Sequence, residues 1–339
     1  MNVVWNYVNE LHKKSWTNYK RGSKSKFFSA FDVNNLLSGS SKELGLQSQT
    51  VQNIGETYVS SRNTAKKSSL SWRSRKRHLG WVPFKVDGIK YFGDHVTYLK
   101  KSYKIYVDRK IPEGAKIKCG SFNQDSRDRW FVNITFEVDR SEVKHTSSSS
   151  SIGIDLGVSS VLTLSDGTSI PRLGFTKKFE DRLAHAQRAR KKKLTAKIHD
   201  KIKNSRKDFL HKTSVRIAKQ FATIIVGDVK SQKIIDISSK SMKKGVYDAS
   251  WFSLKSLLEY KALKLGGKYL AVNEAYTTQD CSLCKARCGP KGREGLCIRE
   301  WVCVKCGAKH HRDVNAAKNI LRIGHDTLSL GIKPKRGKR

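Results

Sequence analysis

The first 77 residues carry apolar side chains at helical spacing. Trp5, Val8 and Leu11 repeat every three positions. The pattern continues, with breaks, through Leu36, Leu37, Leu44, Val51, Ile54 and Tyr58. A spacing of three and four residues places side chains on one face of a helix. We therefore predict a helical and basic region over residues 1–80.

The hydrophobic period changes beyond residue 81. Strict alternation sets Trp130, Val132, Ile134, Phe136 and Val138 against Phe131, Asn133, Thr135 and Glu137. A period of two residues predicts a half-buried strand. Two further strand-like runs, residues 98–107 and 115–121, are bounded by Gly and Pro. Residues 81–143 are therefore expected to form a small antiparallel sheet or barrel, with Cys119 as a small core residue.

A polar stretch, HTSSSSS, precedes the second half of the chain, and we place a linker at residues 144–151. The pattern after it is α/β. Short apolar runs predict strands at residues 152–155, 161–164, 221–226 and 268–273. An amphipathic helix is expected over residues 250–265, between the last two strands.

The most basic segment runs from residue 182 to residue 219. It holds 14 Lys or Arg and two acidic residues, and it carries one apolar stripe of Leu194, Ile198 and Ile202. We predict a long helix or a helical hairpin. Because helices usually balance their charges through pairs four residues apart, this excess indicates nearby phosphate.

The formal net charge of the whole chain is +39. A net charge of only about 2–8 in magnitude is enough for solubility, so the excess predicts a polyanionic partner, with nucleic acid as the first candidate. A basic run of Arg73, Arg75, Lys76 and Arg77 lies between Trp72 and Trp81. Such a run can grip phosphates and stack on bases; the alternative is a solvated helix face with core tryptophans. Arg190, Lys191, Lys192 and Lys193 are candidate contacts to a nucleic-acid backbone.

Membrane and secretion signals are not predicted. The longest apolar run has six residues, Phe221–Val226, which excludes a transmembrane helix. The N-terminal segment MNVVWNYVNELHKK has no signal-peptide core. Seven cysteines, four of them in CxxC pairs, suit a reducing compartment and a metal site better than disulfides.

Four of these cysteines have metal-ligand spacing. Cys281 and Cys284 form one CxxC pair, and Cys303 and Cys306 form a second one after eighteen residues. This spacing predicts a closed tetrahedral zinc site, which is structural rather than catalytic. Two further cysteines, Cys288 and Cys297, lie between the pairs; they either pair with each other or have no role.

Two aspartates lie where catalytic carboxylates are often found. Asp155 ends the first strand of the α/β region, and Asp313 begins an apolar helix. Either residue alone could be an ordinary cap. Together with the basic surface and the cysteines, they indicate carboxylates that hold two divalent ions about 4 Å apart for phosphodiester hydrolysis. Magnesium suits such hard ligands.

The motif order is GIDLG, a basic helix, IIVGD, VNEAYTTQDCSLC, CVKCG and HRDVNAAKNIL. It resembles the TnpB (OrfB) family of transposon-encoded RNA-guided endonucleases, which are similar to compact type V CRISPR effectors. The resemblance extends from Asn2 to Gly324. It implies an α+β multidomain fold with a helical recognition lobe, a β-barrel wedge domain, a RuvC nuclease of RNase H type and an inserted zinc ribbon that binds target nucleic acid.

The implied boundaries follow the patterns above. The recognition region takes residues 1–80 and the wedge residues 81–143, followed by the linker. The nuclease occupies residues 152–276, the ribbon residues 277–310, the last nuclease motif residues 311–324 and a basic tail residues 325–339. Asp155 and Asp313 match the first and last catalytic aspartates of the family. The four CxxC cysteines match its zinc ligands.

The resemblance also implies an activity. Two Mg²⁺ ions and one structural Zn²⁺ are expected as cofactors, and a guide RNA and single- and double-stranded target DNA as partners, without a membrane. Cleavage would occur beside a short flanking DNA motif. The expected location is the cytoplasm of a prokaryote, at the nucleoid when DNA is bound.

Two departures from the family pattern matter. The family usually opens with a wedge strand before the first helix, so we expect either a trimmed form or a barrel completed differently. The middle catalytic glutamate of the family falls on Gly227. Asp228 follows it, but successive strand side chains point to opposite faces. We therefore predict that Glu274, at the exit of the next strand, is the third carboxylate and magnesium ligand, with Asp228 as the second choice.

Other functions stay open at this point. If Glu274 is only a surface residue, the chain is a nuclease-dead, RNA-guided DNA-binding repressor. A DNA transposase also uses a carboxylate triad and is the third hypothesis.

Overall fold

The computed structural model describes residues 1–22, 27–107, 111, 114–138, 150–157, 160–229, 250–292 and 294–331. The chain divides into two compact units, Met1–Arg140 and Ser141–Arg339. Most of the predicted linker, and the end of the basic tail from residue 332, lie outside the described residues.

The first unit begins with helices. They are α1 (Asn2–Lys20), α2 (Ala30–Leu36), α3 (Ser40–Glu43) and α4 (Ser48–Ala65). Their predicted apolar face forms a buried cluster that includes Trp5, Val8, Val51, Ile54 and Tyr58. The prediction of helix was wrong for residues 66–80, which form turns, bends and irregular backbone. That segment is tied to α1 instead, because Asn6 and Asn9 donate side-chain hydrogen bonds to the carbonyls of Arg73 and Leu70.

The strands of the first unit form two antiparallel sheets. One has the order β1 (Trp81–Lys85), β5 (Lys116–Gln124), β6 (Trp130–Glu137). The other has the order β2 (Lys90–Tyr91), β3 (His95–Tyr98), β4 (Lys101–Lys104). In the described part of this unit the strand pairing closes no barrel. The alternation in β6 is confirmed at Val132 and Ile134, which pack on the core around Phe84.

Cys119 is exposed, so its prediction as a core residue was wrong. The pairing of β5 with β6 shifts register between Ile117 and Cys119. Such a shift interrupts the alternation of faces along a strand, which is why the neighbouring residues do not indicate the side to which Cys119 points.

The second unit contains a five-stranded sheet with the order β11-β10-β7-β8-β9. Its strands are β7 (Ser151–Asp155), β8 (Ser160–Leu164), β9 (Ser169–Pro171), β10 (Thr223–Gly227) and β11 (Lys268–Val272). β10 pairs in parallel with both β7 and β11, whereas β8 is antiparallel to β7. The carboxyl ends of β7, β10 and β11 therefore lie along one edge of the sheet.

Helices cover both faces of this sheet. They are α6 (Lys192–Gln220), α7 (Trp251–Lys264) and α8 (Arg312–Ser329), while α5 (Glu180–Arg188) packs against α6. Ile217 and Leu254 pack on one face with Ile154 and Val226, and Ile320 of α8 packs on the other face. No helix in the described ranges combines the length and apolarity needed to cross a membrane.

The predicted basic segment is a helical hairpin. α5 ends before Arg190, whose backbone is left-handed with φ of 52°, and α6 then begins at Lys192. The predicted stripe is confirmed, because Ile198 and Ile202 are buried against α5 and Leu194 packs beside them.

Gly153 allows close packing of α8 on β7. A Cβ added at Gly153 would lie 2.7 Å from Leu321 Cβ and closer still to the Ala317 carbonyl oxygen. Any larger residue would push the helix away. Gly153, the first glycine of the IGIDLG motif, therefore lets α8, which carries Asp313, pack against the strand that ends in Asp155.

Candidate functional site

The four predicted metal-ligating cysteines lie together. Their Sγ atoms are all within 4.8 Å of one another. Cys281 Sγ lies 3.7 Å from Cys306 Sγ, and Cys284 Sγ lies 3.5 Å from Cys303 Sγ. A metal–sulfur distance of about 2.3 Å in a tetrahedron places sulfurs roughly 3.8 Å apart. The cluster therefore has the dimensions of a four-thiolate metal site.

Two tight turns present these cysteines. In each turn the N–H of the first cysteine donates to a carbonyl five residues later: Cys281 to Ala286 and Cys303 to Ala308, both at 2.9 Å. A left-handed residue follows the second cysteine in each turn, Lys285 with φ of 63° and Gly307 with φ of 70°. The equal spacing of the two CxxC pairs thus produces the same local fold twice.

Further groups contact the cysteine cluster. His310 Nε2 lies 3.0 Å from Cys281 Sγ, and the His310 ring packs against Trp301 with centroids 4.7 Å apart. Cys288 Sγ lies 3.3 Å from Cys303 Sγ, whereas Cys297 is exposed, and neither forms a disulfide. Cys288 is therefore a neighbour of the cluster rather than a partner of Cys297.

Asp155 ends β7 at the sheet edge where the parallel strands terminate. Burial first, and then the nearby negative charges of Asp313 and Glu274, raise its pKa to about 7 against partial opposition from Arg312. Three carboxylates from distant parts of the chain therefore share one electrostatic environment. Bound cations would relieve their mutual repulsion.

Glu274 occupies the space that a side chain at position 227 would need. A Cβ built on Gly227 would lie 2.9 Å from Glu274 Oε2 and 3.1 Å from Ile320 Cδ1. Gly227 ends β10, which pairs with β7 on one side and β11 on the other. Burial raises the pKa of Glu274, so it is not an ordinary surface glutamate.

Asp228 is paired with a lysine, although its charge also raises the pKa of Glu274, which Lys255 lowers. Its carboxylate accepts a hydrogen bond from Lys255 Nζ of α7 at 2.8 Å, and the Asp228 side chain is 49% exposed. Lys255 Nζ also donates to the carbonyl of Val229. An ion pair with α7, the helix on the far face from α8, agrees with the expected opposite orientation of residue 228.

Asp313 lies in the first turn of α8 and forms an ion pair with Arg299. Arg299 Nη1 donates to both carboxylate oxygens, at 3.2 Å and 3.1 Å. The Arg312 N–H also donates to the Arg299 carbonyl at 2.7 Å, so the hairpin of β12 (Glu300–Val302) and β13 (Lys309–His311) sets this placement. Sequence reasoning missed Arg299, because its position depends on the hairpin register.

Two asparagines connect α8 to the turn that follows Glu274. The Nδ2 atoms of Asn315 and Asn319 both donate to the carbonyls of Thr277 and Asp280, at 2.7–3.2 Å. Asn315 Oδ1 accepts from the Ser282 N–H at 2.9 Å. Both asparagines are 1% exposed. They also escaped prediction, although polar residues four apart beside an apolar helix face are a usable signal.

Within the described residues, the four cysteines are the one group of His, Cys, Asp and Glu ligand atoms that lie within 4.8 Å of one another. Asp313 and Glu274 both raise the pKa of Asp155, but the three carboxylates do not meet that limit as a trio.

The predicted nucleic-acid contacts are mostly exposed. Arg75, Lys76 and Arg77 lie on an exposed turn, whereas Arg73 is half-buried with its guanidinium 5.3 Å from the Trp5 ring and 5.7 Å from the Trp81 ring. Arg190, Lys191, Lys192 and Lys193 are all exposed at the break between α5 and α6.

Comparison with known proteins identifies relatives over most of the chain. The OrfB_IS605 family model, described as "Probable transposase", matches residues 133–238, and the model "Cas12f1-like, TNB domain" matches residues 251–320. The chain is 31% identical over 282 residues to a "Putative RNA-guided DNA endonuclease" of Streptomyces pristinaespiralis, covering 78% of this chain and 68% of that protein. It is 32% identical over 229 residues to the "Putative RNA-guided DNA endonuclease InsQ" of Escherichia coli, covering 60% of this chain and 56% of that protein.

A solved structure has a similar fold. The Cas12f1 chain in the cryo-EM structure of the Cas12f1–sgRNA–target DNA complex superposes with a TM-score of 0.59 at 15% identity, covering 94% of this chain and 79% of that one. The sequence relatives, whose match extends over most of the chain, carry the assignment to a family. The chain belongs to the TnpB (OrfB) family of transposon-encoded RNA-guided endonucleases.

Proposed function

We propose that this protein is an RNA-guided, Mg²⁺-dependent endonuclease that cuts DNA through Asp155, Glu274 and Asp313. The observation that carries the proposal is the position of Glu274. Its carboxylate lies where the side chain of residue 227 would otherwise project. A carboxylate lost from the end of β10 is thus supplied from the exit of β11.

The fold supports a site at this edge. In open sheets with parallel strands, ligands bind outside the carboxyl ends of the strands. Asp155 ends β7, Gly227 ends β10, and Glu274 follows β11 by two residues. We assign this sheet and its helices to a RuvC nuclease of RNase H type, spanning residues 152–276 and 311–324.

The carboxylates fit divalent cations by their chemistry. Hard oxygen ligands suit Mg²⁺, and the pKa of Asp155 is raised by burial first and then by the negative charges of Asp313 and Glu274, which a divalent cation would offset. Two bound Mg²⁺ ions would supply an activated water and stabilise the leaving oxygen. Asp155, whose pKa responds to both of the other carboxylates, would be one of the three residues that hold the cations. Arg299, which pairs with Asp313, would compete with a cation for this carboxylate and add positive charge beside the DNA phosphate.

The four cysteines would hold one structural Zn²⁺ in a ribbon at residues 277–310. Four thiolates leave no open position for a substrate. The role of this ion is therefore to fix the turn after Glu274 and the hairpin that carries Arg299.

The remaining assignments concern nucleic acid. Residues 1–80 would recognise the guide RNA and DNA, and residues 81–143 would form a wedge domain. Base pairing would select the target, while exposed cations such as those at residues 75–77 and 190–193 hold the duplex by its backbone. Such a protein would act in the prokaryotic cytoplasm, at the nucleoid.

A carboxylate exchange tests the proposal. Purified protein with its native guide RNA should cut matching DNA in Mg²⁺, and Glu274→Gln should lower the cleavage rate about a thousandfold, since a metal ligand contributes several kcal/mol. The double variant Gly227→Glu with Glu274→Ala should restore part of the rate, because the new carboxylate enters the vacated space. Gly227→Glu alone should not cut well, because the two side chains would clash.

Asp228→Asn is the matched control and should retain most of the activity. Loss of cutting in Asp228→Asn, together with full activity in Glu274→Gln, would assign the third carboxylate to Asp228. Target binding without cutting by the unaltered protein would favour the RNA-guided repressor. Joining of transposon ends to target DNA would favour the transposase.

A further inference from the structure

Tyr276 is an exposed aromatic residue beside the carboxylate site. It lies two residues after Glu274, and its side chain is 52% exposed. Its backbone is left-handed, with φ of 66°. A bulky residue rarely adopts this conformation without a structural or functional reason. The turn therefore presents a large apolar ring to solvent in an unfavourable backbone conformation.

An arginine fixes one face of this ring. Arg287 Cζ lies 3.7 Å from the centre of the Tyr276 ring. Arg287 Nε donates to Asp280 Oδ1 at 2.7 Å, and residues 280 and 287 also form an isolated β-bridge. The Tyr276 carbonyl accepts the N–H groups of Gln279 and Asp280, both at 2.9 Å. Ring, guanidinium and turn are thus held as one assembly, and the open face of the ring points away from Arg287.

The assembly is attached to the helix of Asp313. The carbonyl of Thr277, the residue after Tyr276, accepts hydrogen bonds from Asn315 and Asn319 of α8. Tyr276 and Asp313 are therefore connected through buried hydrogen bonds. A ligand on the ring would keep a defined position relative to the carboxylates.

We propose that the Tyr276–Arg287 pair is a stacking platform for one unpaired base of the strand being cut. Two residues of chain span at most about 7 Å, so the Cα atoms of Tyr276 and Glu274 lie within that distance and the platform stands in the same turn as the carboxylate. The inference rests on the proposed nuclease function and adds a contact that positions the strand.

The chemistry of the pair favours a nucleobase as its ligand. Aromatic rings stack on any base, and arginine strengthens such sites. Asp280 offsets much of the charge of Arg287, so the ring rather than the cation dominates the surface. A phosphate would instead need free donors directed at it.

The test combines protein variants with abasic DNA. Cleavage rates of the protein–guide RNA complex are measured on targets that carry one abasic nucleotide at each position around the cut. With intact DNA, Tyr276→Ala should lower the rate about tenfold through lost stacking. For the unaltered protein, removing the base at one position should lower the cleavage rate about tenfold as well. For Tyr276→Ala, the same abasic target should be cut as fast as intact DNA. Tyr276→Phe should behave like the unaltered protein at every position.

Tyr260→Ala is the matched control, because Tyr260 is a similarly exposed tyrosine of the same unit, at 44%, beside Lys261. Its effect should not depend on any abasic position. The proposal is overturned if Tyr276→Ala cuts intact DNA as fast as the unaltered protein. It is also overturned if the cleavage rate of Tyr276→Ala, relative to that of the unaltered protein, is reduced equally on every abasic target. Retained zinc in Tyr276→Ala shows that the ribbon is folded.

Failure of the proposed function gives a different result, since the unaltered protein then cuts none of the targets. The affinity for abasic single strands, measured by fluorescence anisotropy, then decides the matter. One abasic position should weaken binding by the unaltered protein and not by Tyr276→Ala, and equal affinities across all positions would overturn the platform.

Discussion

The cysteine cluster and the carboxylate cluster lie in the same unit but are built in opposite ways. The cysteines come from 26 consecutive residues, Cys281–Cys306, and two similar turns bring their sulfurs within 4.8 Å. The carboxylates come from the end of β7, the exit of β11 and the start of α8. They meet only because parallel strands end at one edge and Gly153 lets α8 approach.

The difference also shows in the charges. Thiols can remain neutral until a metal displaces their protons. Burial, together with the like charges of Asp313 and Glu274, raises the pKa of the Asp155 carboxyl to about 7. Removing one cysteine should therefore weaken a compact closed site, whereas removing one carboxylate should relieve strain in the metal-free protein.

The largest expected effect is the loss of zinc from Cys303→Ala. Cys303 is 1% exposed and contacts both Cys284 and Cys288. Because structural zinc contributes about 10–16 kcal/mol to folding its site, the variant should purify with less than roughly a tenth of the zinc of the unaltered protein. Metal analysis by mass spectrometry measures this content. Cys297→Ala is the control and should keep its zinc.

Cys288→Ala sharpens the same comparison. It should retain zinc, because Cys288 contacts the cluster without belonging to the set of four. A loss of zinc as large as that of Cys303→Ala would show that Cys288 is a zinc ligand and that the CxxC spacing does not identify the full ligand set.

The next effect concerns Asn315, which ties the two clusters together. Asn315→Ala removes two hydrogen bonds to the carbonyls of Thr277 and Asp280, which Asn319 still satisfies, and it leaves the Ser282 N–H without its acceptor. The expected cost is about 2–4 kcal/mol in the free energy of unfolding, measured by denaturant titration. Zinc should remain bound, while DNA cleavage falls. Asn204→Ala, at an exposed position of α6, should change stability by no more than about 0.5 kcal/mol.

Asp155→Asn should stabilise the protein in Mg²⁺-free buffer. The pKa of Asp155 is raised from 3.8 to about 7 on folding, so the folded state binds an extra proton between these values. Stability of the unaltered protein therefore falls as the pH rises through this window. The advantage of Asp155→Asn should grow from pH 4 to pH 7 and reach about 1–4 kcal/mol above it.

Thermal unfolding at pH 4 and pH 8 measures this difference. Asp208→Asn, which alters an exposed ion pair with Lys212, should differ from the unaltered protein by at most about 1 kcal/mol at both pH values. An Asp155→Asn advantage that shrinks as the pH rises would contradict the proposed carboxylate cluster.

The same contrast explains what sequence alone could predict. Hydrophobic periodicity was sufficient to predict the buried stripe of Ile198 and Ile202 and the alternation in β6. The CxxC spacing was sufficient to predict the cysteine cluster. Cys119 was misplaced because a register shift cannot be read from hydrophobicity. The helix predicted over residues 66–80 was wrong because Asn6 and Asn9 hydrogen-bond the backbone of Arg73 and Leu70 and hold that segment against α1.

The candidate carboxylates were identified by motif, but their partners were not. Arg299 reaches Asp313 only because of the register of the β12–β13 hairpin. Asn315 binds backbone carbonyls, and every residue has a carbonyl, so the sequence does not indicate which ones it binds. Interactions of this kind need the fold before they can be recognised. The choice of Glu274 over Asp228 remains a prediction that the geometry at Gly227 supports.

The smallest expected effect tests whether Arg299 competes with cations for Asp313. Its guanidinium is half-exposed, so the ion pair contributes at most about 1 kcal/mol. Arg299→Ala should therefore tighten Mg²⁺ binding to the RNA-free protein by about two- to fivefold, measured as the Mg²⁺ dependence of thermal unfolding. The gain should vanish when Asp313→Asn is added, because the competing carboxylate is then gone. Arg322→Ala breaks another Arg–Asp pair on the same helix, with Asp326, and should leave Mg²⁺ binding unchanged. If Arg299→Ala weakens Mg²⁺ binding instead, the arginine assists the cation site, because it then holds Asp313 in the orientation that binds Mg²⁺.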